Sequence, residues 1–516
     1  MNKSLWKSFI CVKDYYRKHM IKGRIGKGIP KIKKQLFFVS LLALLSACQS
    51  TTRIADMEVT AQSMVPSRYS SSNFDHDIVE GIDDDGLTPW GDFPIEELLP
   101  QIEMLFGENF ELLAAFSRVE SALAQAQIAG ADRFPEFTAS IGGSKNQQNF
   151  IGLPIPGNTG PLSTQFTSYN LTLASQWEID FWGRLKNAKE ASVLSLESVE
   201  ADFKWLRHSL LSSYLQMWVN AHYADEFHEL VSLMALNRQD LVRVTSQRYD
   251  SGLSNGDSLR SARVVLKNAR TNEIQAEKNH RDALRKLESI LGGYPNGQIE
   301  LLGQLPQNLT PVRHGLPSDL LENRPDLVAA KKRLLAAGKR VNQSKASLFP
   351  RIALTSSAGT SSDQLSDLTD LDFSVWSLGG NVARPIFDYG KLKASLNISK
   401  ANEKEVFARY LQSVQTAFSE VENALDNEKV LSESFLLAEQ NLAESERLLF
   451  SAKQKYKLGV GTRIEVLENE YLLLQSRISR LDVFRQRLLN RILLTTSLGA
   501  QYRAKPDKND VSDISS

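Results

Sequence analysis

The stretch Tyr169-Asn170-Leu171-Thr172-Leu173-Ala174-Ser175-Gln176-Trp177-Glu178-Ile179-Asp180-Phe181-Trp182-Gly183-Arg184 decides the fold. From Tyr169 to Trp177 the bulky side chains fall at every second position, the period of a strand with one greasy and one polar face. In a soluble sandwich the greasy face is core; in a barrel it meets lipid, and the period alone does not separate the two. After Gly183 the pattern changes. Arg184 to about Arg248 contains neither proline nor glycine, and Val199, Phe203, Leu206, Leu210, Tyr214, Met217, Ala221 and Ala224 recur at spacings of three and four. About 65 residues at ~1.5 Å each predict a helix of about 97 Å. Unbroken helices of that length suggest coiled-coil packing.

Read outward from there, the chain is written twice. Phe134-Pro135 returns as Phe349-Pro350, and Asn109-Phe110-Glu111-Leu112 as Arg324-Pro325-Asp326-Leu327. Asp180-Phe181-Trp182-Gly183 is echoed by Ile386-Phe387-Asp388-Tyr389-Gly390, Tyr249-x-x-Gly252 by Tyr456-x-x-Gly459, and Leu291-Gly292 by Leu498-Gly499. Each half is expected to hold a first helix (Ile102–Arg133 and Ser318–Leu348, closed by Pro135 and Pro350), a strand pair, a long helix, a glycine turn and a returning helix. The second long helix is Lys391 to Lys457, again without proline or glycine, and the returning helices are Ser258–Leu291 and Arg463–Leu498. Gly142–Gln165 and Gly359–Asp372 read as the loops between paired strands. The predicted organisation is a signal region over 1–47 (with Met20 as the natural start), a lipidated N-terminus and linker over 48–89, one repeat over 90–310, a second over 315–503, and a polar tail over 504–516.

The 516 residues are 42% hydrophobic and 23% charged, which excludes the disordered, collagenous and disulfide-framework classes. The longest greasy run, Leu36 to Ala47, is too short for a transmembrane helix of about 20 residues. A β-barrel is not excluded, because alternating strands barely move the mean hydropathy of −0.27. The net charge of +1 hides an asymmetry: residues 1–47 hold 11 Lys/Arg against Asp14 alone, a net of +10, which leaves −9 for the rest. Lys22, Arg24, Lys27, Lys31, Lys33 and Lys34 precede the greasy run, as in a secretory signal rather than a nucleic-acid patch. The run ends in Leu45-Ser46-Ala47-Cys48, which resembles a bacterial lipobox. That resemblance implies lipidation of Cys48 and, with Gln49 next, sorting to the outer membrane. The other cysteine, Cys11, lies in or before the signal, so the mature chain is expected to hold no disulfide. Two halves supply four strands, too few to close a barrel, so membranous strands require several copies; three would give about twelve strands.

The residues then resemble the TolC-type outer-membrane factors, in the lipoprotein branch that works with resistance-nodulation-division (RND) pumps. The resemblance is carried by Gly315-Leu316-Pro317-Ser318-Asp319-Leu320-Leu321-Glu322-Asn323-Arg324-Pro325-Asp326-Leu327, by Pro385-Ile386-Phe387-Asp388-Tyr389-Gly390-Lys391-Leu392, by Glu178 to Leu185, by Ala417 to Leu425, and by Tyr456-x-x-Gly459 running to Glu465-Val466-Leu467. It spans roughly residues 90–500. It implies a mainly α chain with a β-barrel part: a homotrimer joining a long α-helical barrel to twelve transmembrane strands, four from each chain. It also implies a non-enzymatic conduit in the outer-membrane lipid, extending into the periplasm and served by a periplasmic adaptor (a membrane fusion protein) and an inner-membrane RND pump. Relatives often close the last helix with a Gly-Gly-Gly-Trp run, whereas here Leu498-Gly499 continues as Ala500-Gln501.

The same resemblance points to the turn regions as the functional site. Glu465 and Glu468, at i and i+3, match carboxylates that narrow the periplasmic tip, and threefold symmetry would make each a charged ring. A solvated helix face is the competing reading. Asp257 sits one position off the family's usual acidic site. Tyr456 matches a residue whose hydroxyl ties neighbouring helices in the closed state; coiled-coil core is its alternative. Gly252, Gly256, Gly459 and Gly461 are expected to allow positive φ in turns that dock the adaptor. No Walker A, dinucleotide fingerprint or zinc spacing is present, and no cofactor is expected. His222, Asp225, Glu226 and Glu229 are spaced too loosely for a metal site, and the seven methionines form no thioether cluster. Two other readings remain open: a conduit for an ABC-type (type I) exporter, and a lipid-anchored periplasmic coiled-coil scaffold.

Overall fold

The computed structural model describes residues 90–150, 162–310 and 317–499, together with 57, 59, 63, 65, 66 and 70. Cys48, the signal region and the polar tail lie outside the described residues. The greasy alternation forms one antiparallel four-stranded sheet in the order β1-β2-β3-β4: β1 Glu136–Phe150, β2 Leu162–Ile179, β3 Arg351–Ser362 and β4 Ser374–Ala383. The pairing of β2 with β3 joins the two halves of the chain. Register places Ile141 opposite Leu171, Ile352 opposite Val382 and Ala358 opposite Trp376. With side chains alternating across the sheet, these share a face with Phe137, Leu173, Trp177, Leu354 and Leu378. The large apolar residues Phe137, Ile141, Leu171, Leu173, Trp177, Leu354, Trp376, Leu378 and Val382 are all solvent-exposed in the single chain. The opposite face is polar, and there the Ser357 and Ser377 hydroxyls pair at 2.8 Å.

The strands run further than the sequence pattern suggests. The β1–β2 ladder continues through polar residues to Asn149 opposite Ser163, shortening the loop expected over Gly142–Gln165. Backbone pairing does not need apolar side chains, so it outlasts the greasy band. Likewise β3 reaches Ser362, and two 3₁₀ turns, Leu365–Thr369 and Leu371–Phe373, replace an open loop.

The helices repeat in length. They are α1 Ile95–Glu108, α2 Phe110–Ala131, α3 Arg184–Asp250, α4 Gly256–Ile290, α5 Pro317–Asn323, α6 Pro325–Ala346, α7 Lys391–Lys457 and α8 Arg463–Ser497. Both long helices have 67 residues, about 100 Å at ~1.5 Å each, and both returning helices have 35. The single first helix expected in each half is in fact two. Asn109 takes an extended backbone and its side chain accepts from Glu111 and Leu112 N–H, restarting the helix. Arg324 likewise takes an extended backbone, with no side-chain cap, before Pro325, whose ring disfavours a helical residue ahead of it. No helix among the described residues is long and apolar enough to cross a membrane.

The largest core gathers Trp90, from the turn before α1, with Leu98, Ile102, Tyr214, Leu215, Trp218, Leu287 and Leu488 from α1, α3, α4 and α8. A second gathers Leu327, Leu334, Val414, Val421 and Leu494 around α6, α7 and α8. Towards the glycine turns the apolar groups shrink to small clusters such as Leu241, Ala262 and Leu467.

Candidate functional site

Two short motifs turn strand into long helix. Asp180 accepts from the N–H groups of Leu185 and Lys186 at 3.1 and 2.6 Å, while Gly183 takes φ 76°. Asp388 repeats this, accepting from Gly390 and Leu392 N–H at 2.9 and 3.0 Å beside Gly390 at φ 82°. Those backbone donors hold the Asp388 carboxyl below its ordinary value. Glu178 binds Arg184 through two oxygens at 2.9 and 2.7 Å, and Trp182 stacks on Phe349 at 4.6 Å.

At the far end of the helices lie the two turns. Gly252 and Gly459 take φ 72° and 73°, which lets Leu253 N–H reach Arg248 O at 2.7 Å and Val460 N–H reach Lys455 O at 3.0 Å. The other two turn glycines behave differently from the positive-φ expectation. Gly256 is the first residue of α4, and Gly461 has no positive φ but sits where a Cβ would crowd Lys455 and Tyr456. Asn255 and Thr462 then cap α4 and α8 by accepting from Ser258 and Glu465 N–H.

The structure gives the two candidate carboxylates unequal surroundings. Glu468 accepts both terminal nitrogens of Arg238 on α3, at 2.8 and 3.2 Å. Arg238 is buried to 5% exposure and lies 3.5 Å over the Tyr471 ring, whereas Glu468 is 51% exposed. The Glu465 side chain takes no hydrogen bond or ion pair from the described residues. Glu470, one turn further, lies 3.5 Å from Lys453 and 4.0 Å from Arg463. Asp257 is held by Arg260 on its own helix at 2.8 Å, and Tyr456 is 47% exposed. A groove of about 1030 Å³ runs between α3, α4 and α8, past Arg238, Asp257, Glu468 and Tyr471. Sequence reading passed over Arg238. Its one signal was position: Val231, Ala235, Arg238 and Leu241 make a buried stripe at helical spacing, and a charge in such a stripe demands a partner.

Nearer the sheet, buried charges tie separate segments together. Arg491 of α8 bonds Asp92 at 2.6 Å, Glu428 of α7 at 2.7 Å and the Thr310 carbonyl at 2.6 Å. Arg324 bonds Asp326 at 2.9 Å, Glu420 at 2.6 Å and the Ser497 carbonyl at 3.2 Å. His208 lies between Trp90 and Trp205, its Nε2 3.2 Å from Thr496 O, and burial pushes its imidazole below the ordinary value. His222 is lowered for the same reason. Among the described residues no three His, Cys, Asp or Glu side chains are grouped to hold a metal ion.

The family model described as "Outer membrane efflux protein" matches residues 102–293 and again 316–500. The cation efflux system protein CusC of Escherichia coli K12 is 28% identical over 84% of this chain and 93% of its own length. The probable outer membrane lipoprotein SilC of Salmonella typhimurium is 28% identical over 91% of this chain and 99% of its own length. Among solved structures, the outer-membrane channel OprN superposes with a TM-score of 0.75 at 23% identity, covering 84% of this chain and 96% of that one, a likeness of fold. The duplicated family match, lying over the two repeats of strand pair, 67-residue helix and 35-residue helix, shows that the chain belongs to the outer membrane efflux protein family.

Proposed function

We propose that three copies of this chain build an outer-membrane conduit that passively conducts small toxic compounds and drugs. A periplasmic adaptor delivers them, and an inner-membrane RND pump supplies the energy. The observation that carries this reading is the sheet. Four strands with an exposed apolar face and unpaired outer edges on β1 and β4 do not close on themselves. Membrane barrels of one chain start at about eight strands; three sheets of four reach about twelve. Helices of about 100 Å then continue each strand pair away from the membrane. Cys48 carries the lipid in this reading, supported by the lipobox and by the name of the SilC relative. Lipid alone anchors without spanning, so the strands supply the pore.

Glu465 and Glu468 are the proposed selectivity carboxylates, with Tyr456 and Asp257 beside them; Gly252, Gly256, Gly459 and Gly461 shape the adaptor-docking turns. Two experiments test the proposal. A Cys48→Ala chain exported on a plain signal should still assemble as heat-modifiable trimers; a soluble periplasmic monomer would overturn the conduit. Glu465→Ala with Glu468→Ala should lower cation selectivity in planar bilayers, and unchanged selectivity removes these residues from the filter.

A further inference from the structure

Of the carboxylates in the first two turns of α8, two are already spoken for. Glu470 is shared by Lys453 and Arg463, and Asn237 adds a contact at 3.5 Å. Glu468 is gripped through both oxygens by Arg238. On α4, Asp257 is matched by Arg260, and on α3 Asp240 lies 3.2 Å from Arg243 and 3.8 Å from Arg463. Of the three α8 carboxylates, Glu465 has no cationic partner among the described residues. Arg238 differs from the other cations in being buried. Its position is held by the Tyr471 ring at 3.5 Å and by Asn237, whose amide donates to Leu467 O at 3.0 Å.

We propose that Arg238 determines the ion specificity of the tunnel tip: it is the built-in counter-charge that cancels Glu468, leaving Glu465 as the uncompensated carboxylate ring of α8. The proposal rests on the conduit reading above. Its physics is additive. A neutral Arg238–Glu468 pair adds almost no field at the axis, whereas either partner alone adds a full charge in each of three chains. Removing the two partners therefore moves selectivity in opposite directions, which loss of packing does not do.

The test uses the full-length lipidated protein in planar bilayers under a potassium chloride gradient. Arg238→Gln should shift the reversal potential toward the potassium equilibrium value. Glu468→Gln should shift it the other way, the double variant should return near wild type, and Arg238→Lys should stay there. Glu468 is half exposed, so its variant folds even if loss of Arg238 disturbs the tip. Shifts of the same sign for Arg238→Gln and Glu468→Gln, or no shift for either while Glu465→Gln lowers cation selectivity, overturn the counter-charge but leave the conduit standing. A wild-type protein that inserts and passes no current overturns the conduit itself.

Discussion

At Arg491 the chain closes on itself over the longest sequence distance of any described ion pair: Asp92 is 399 residues away. Its guanidinium and both partner carboxylates are nearly solvent-free. Removing one member of a buried pair leaves an uncompensated charge, which costs about 3–5 kcal/mol. Arg491→Leu should accordingly lower the temperature at which trimers dissociate on gels, and Asp92→Asn should do so less, because an amide still accepts from Arg491. His208 and His222 set a pH dependence. Both are held below the ordinary imidazole value by burial, so the unfolded chain takes up protons that the folded chain refuses. Stability is then complete above pH ~6.5 and falls as pH drops below it. Thermal unfolding followed between pH 7.5 and 5.5 should show this decline, and His208→Gln with His222→Gln should flatten it. None of these roles was legible beforehand. A lone Arg or His in a helical stripe names neither its partner nor its burial when the partner sits hundreds of residues away.

Elements were far more legible. Helix α7 runs from Lys391 to Lys457, the proline- and glycine-free span, because nothing inside it breaks the backbone pattern. The first helix of each half was less so: the breaks at Asn109 and Arg324 were signalled only by Gly107 and Pro325 beside them, which a helix can also tolerate at its first positions or inside it. Strand ends were also blurred, because the β1–β2 ladder continues through polar residues. Two predictions belong here. Asp180→Ala removes the side chain that takes Leu185 and Lys186 N–H, a capping loss of about 1 kcal/mol that equilibrium unfolding should register. Gly359 in β3 has the Leu171 carbonyl and Thr172 Cα where a Cβ would stand. Gly359→Val should therefore abolish heat-modifiable bands while the helical circular dichroism signal persists.

For the whole molecule, the fold class was readable because duplication and periodicity are properties of the entire chain and survive local misreading. The tip chemistry was readable only in part. Carboxylates near a glycine turn stand out, but the cation that neutralises one of them lies on another helix, 230 residues earlier. Assembly makes its own prediction. Cysteines scanned along β1, combined with cysteines along β4, should cross-link between chains into a trimer ladder, since these strands occupy opposite edges of the sheet. Absence of any inter-chain product across the scan would remove the shared barrel.

The two glycine turns share a backbone but not a charge pattern. In the proposed trimer, three chains would present six similar hairpins around the axis, giving the tip a sixfold pseudosymmetric outline. Its electrostatics do not share that symmetry: the α3–α4 hairpins carry Asp250 with the matched Asp257 and Arg260, and the α7–α8 hairpins carry Glu465 with Lys455 and Lys457. Any assembly that meets this rim in sixfold fashion encounters two alternating kinds of berth, and identical subunits seated there would be equivalent in shape while differing in the field they feel.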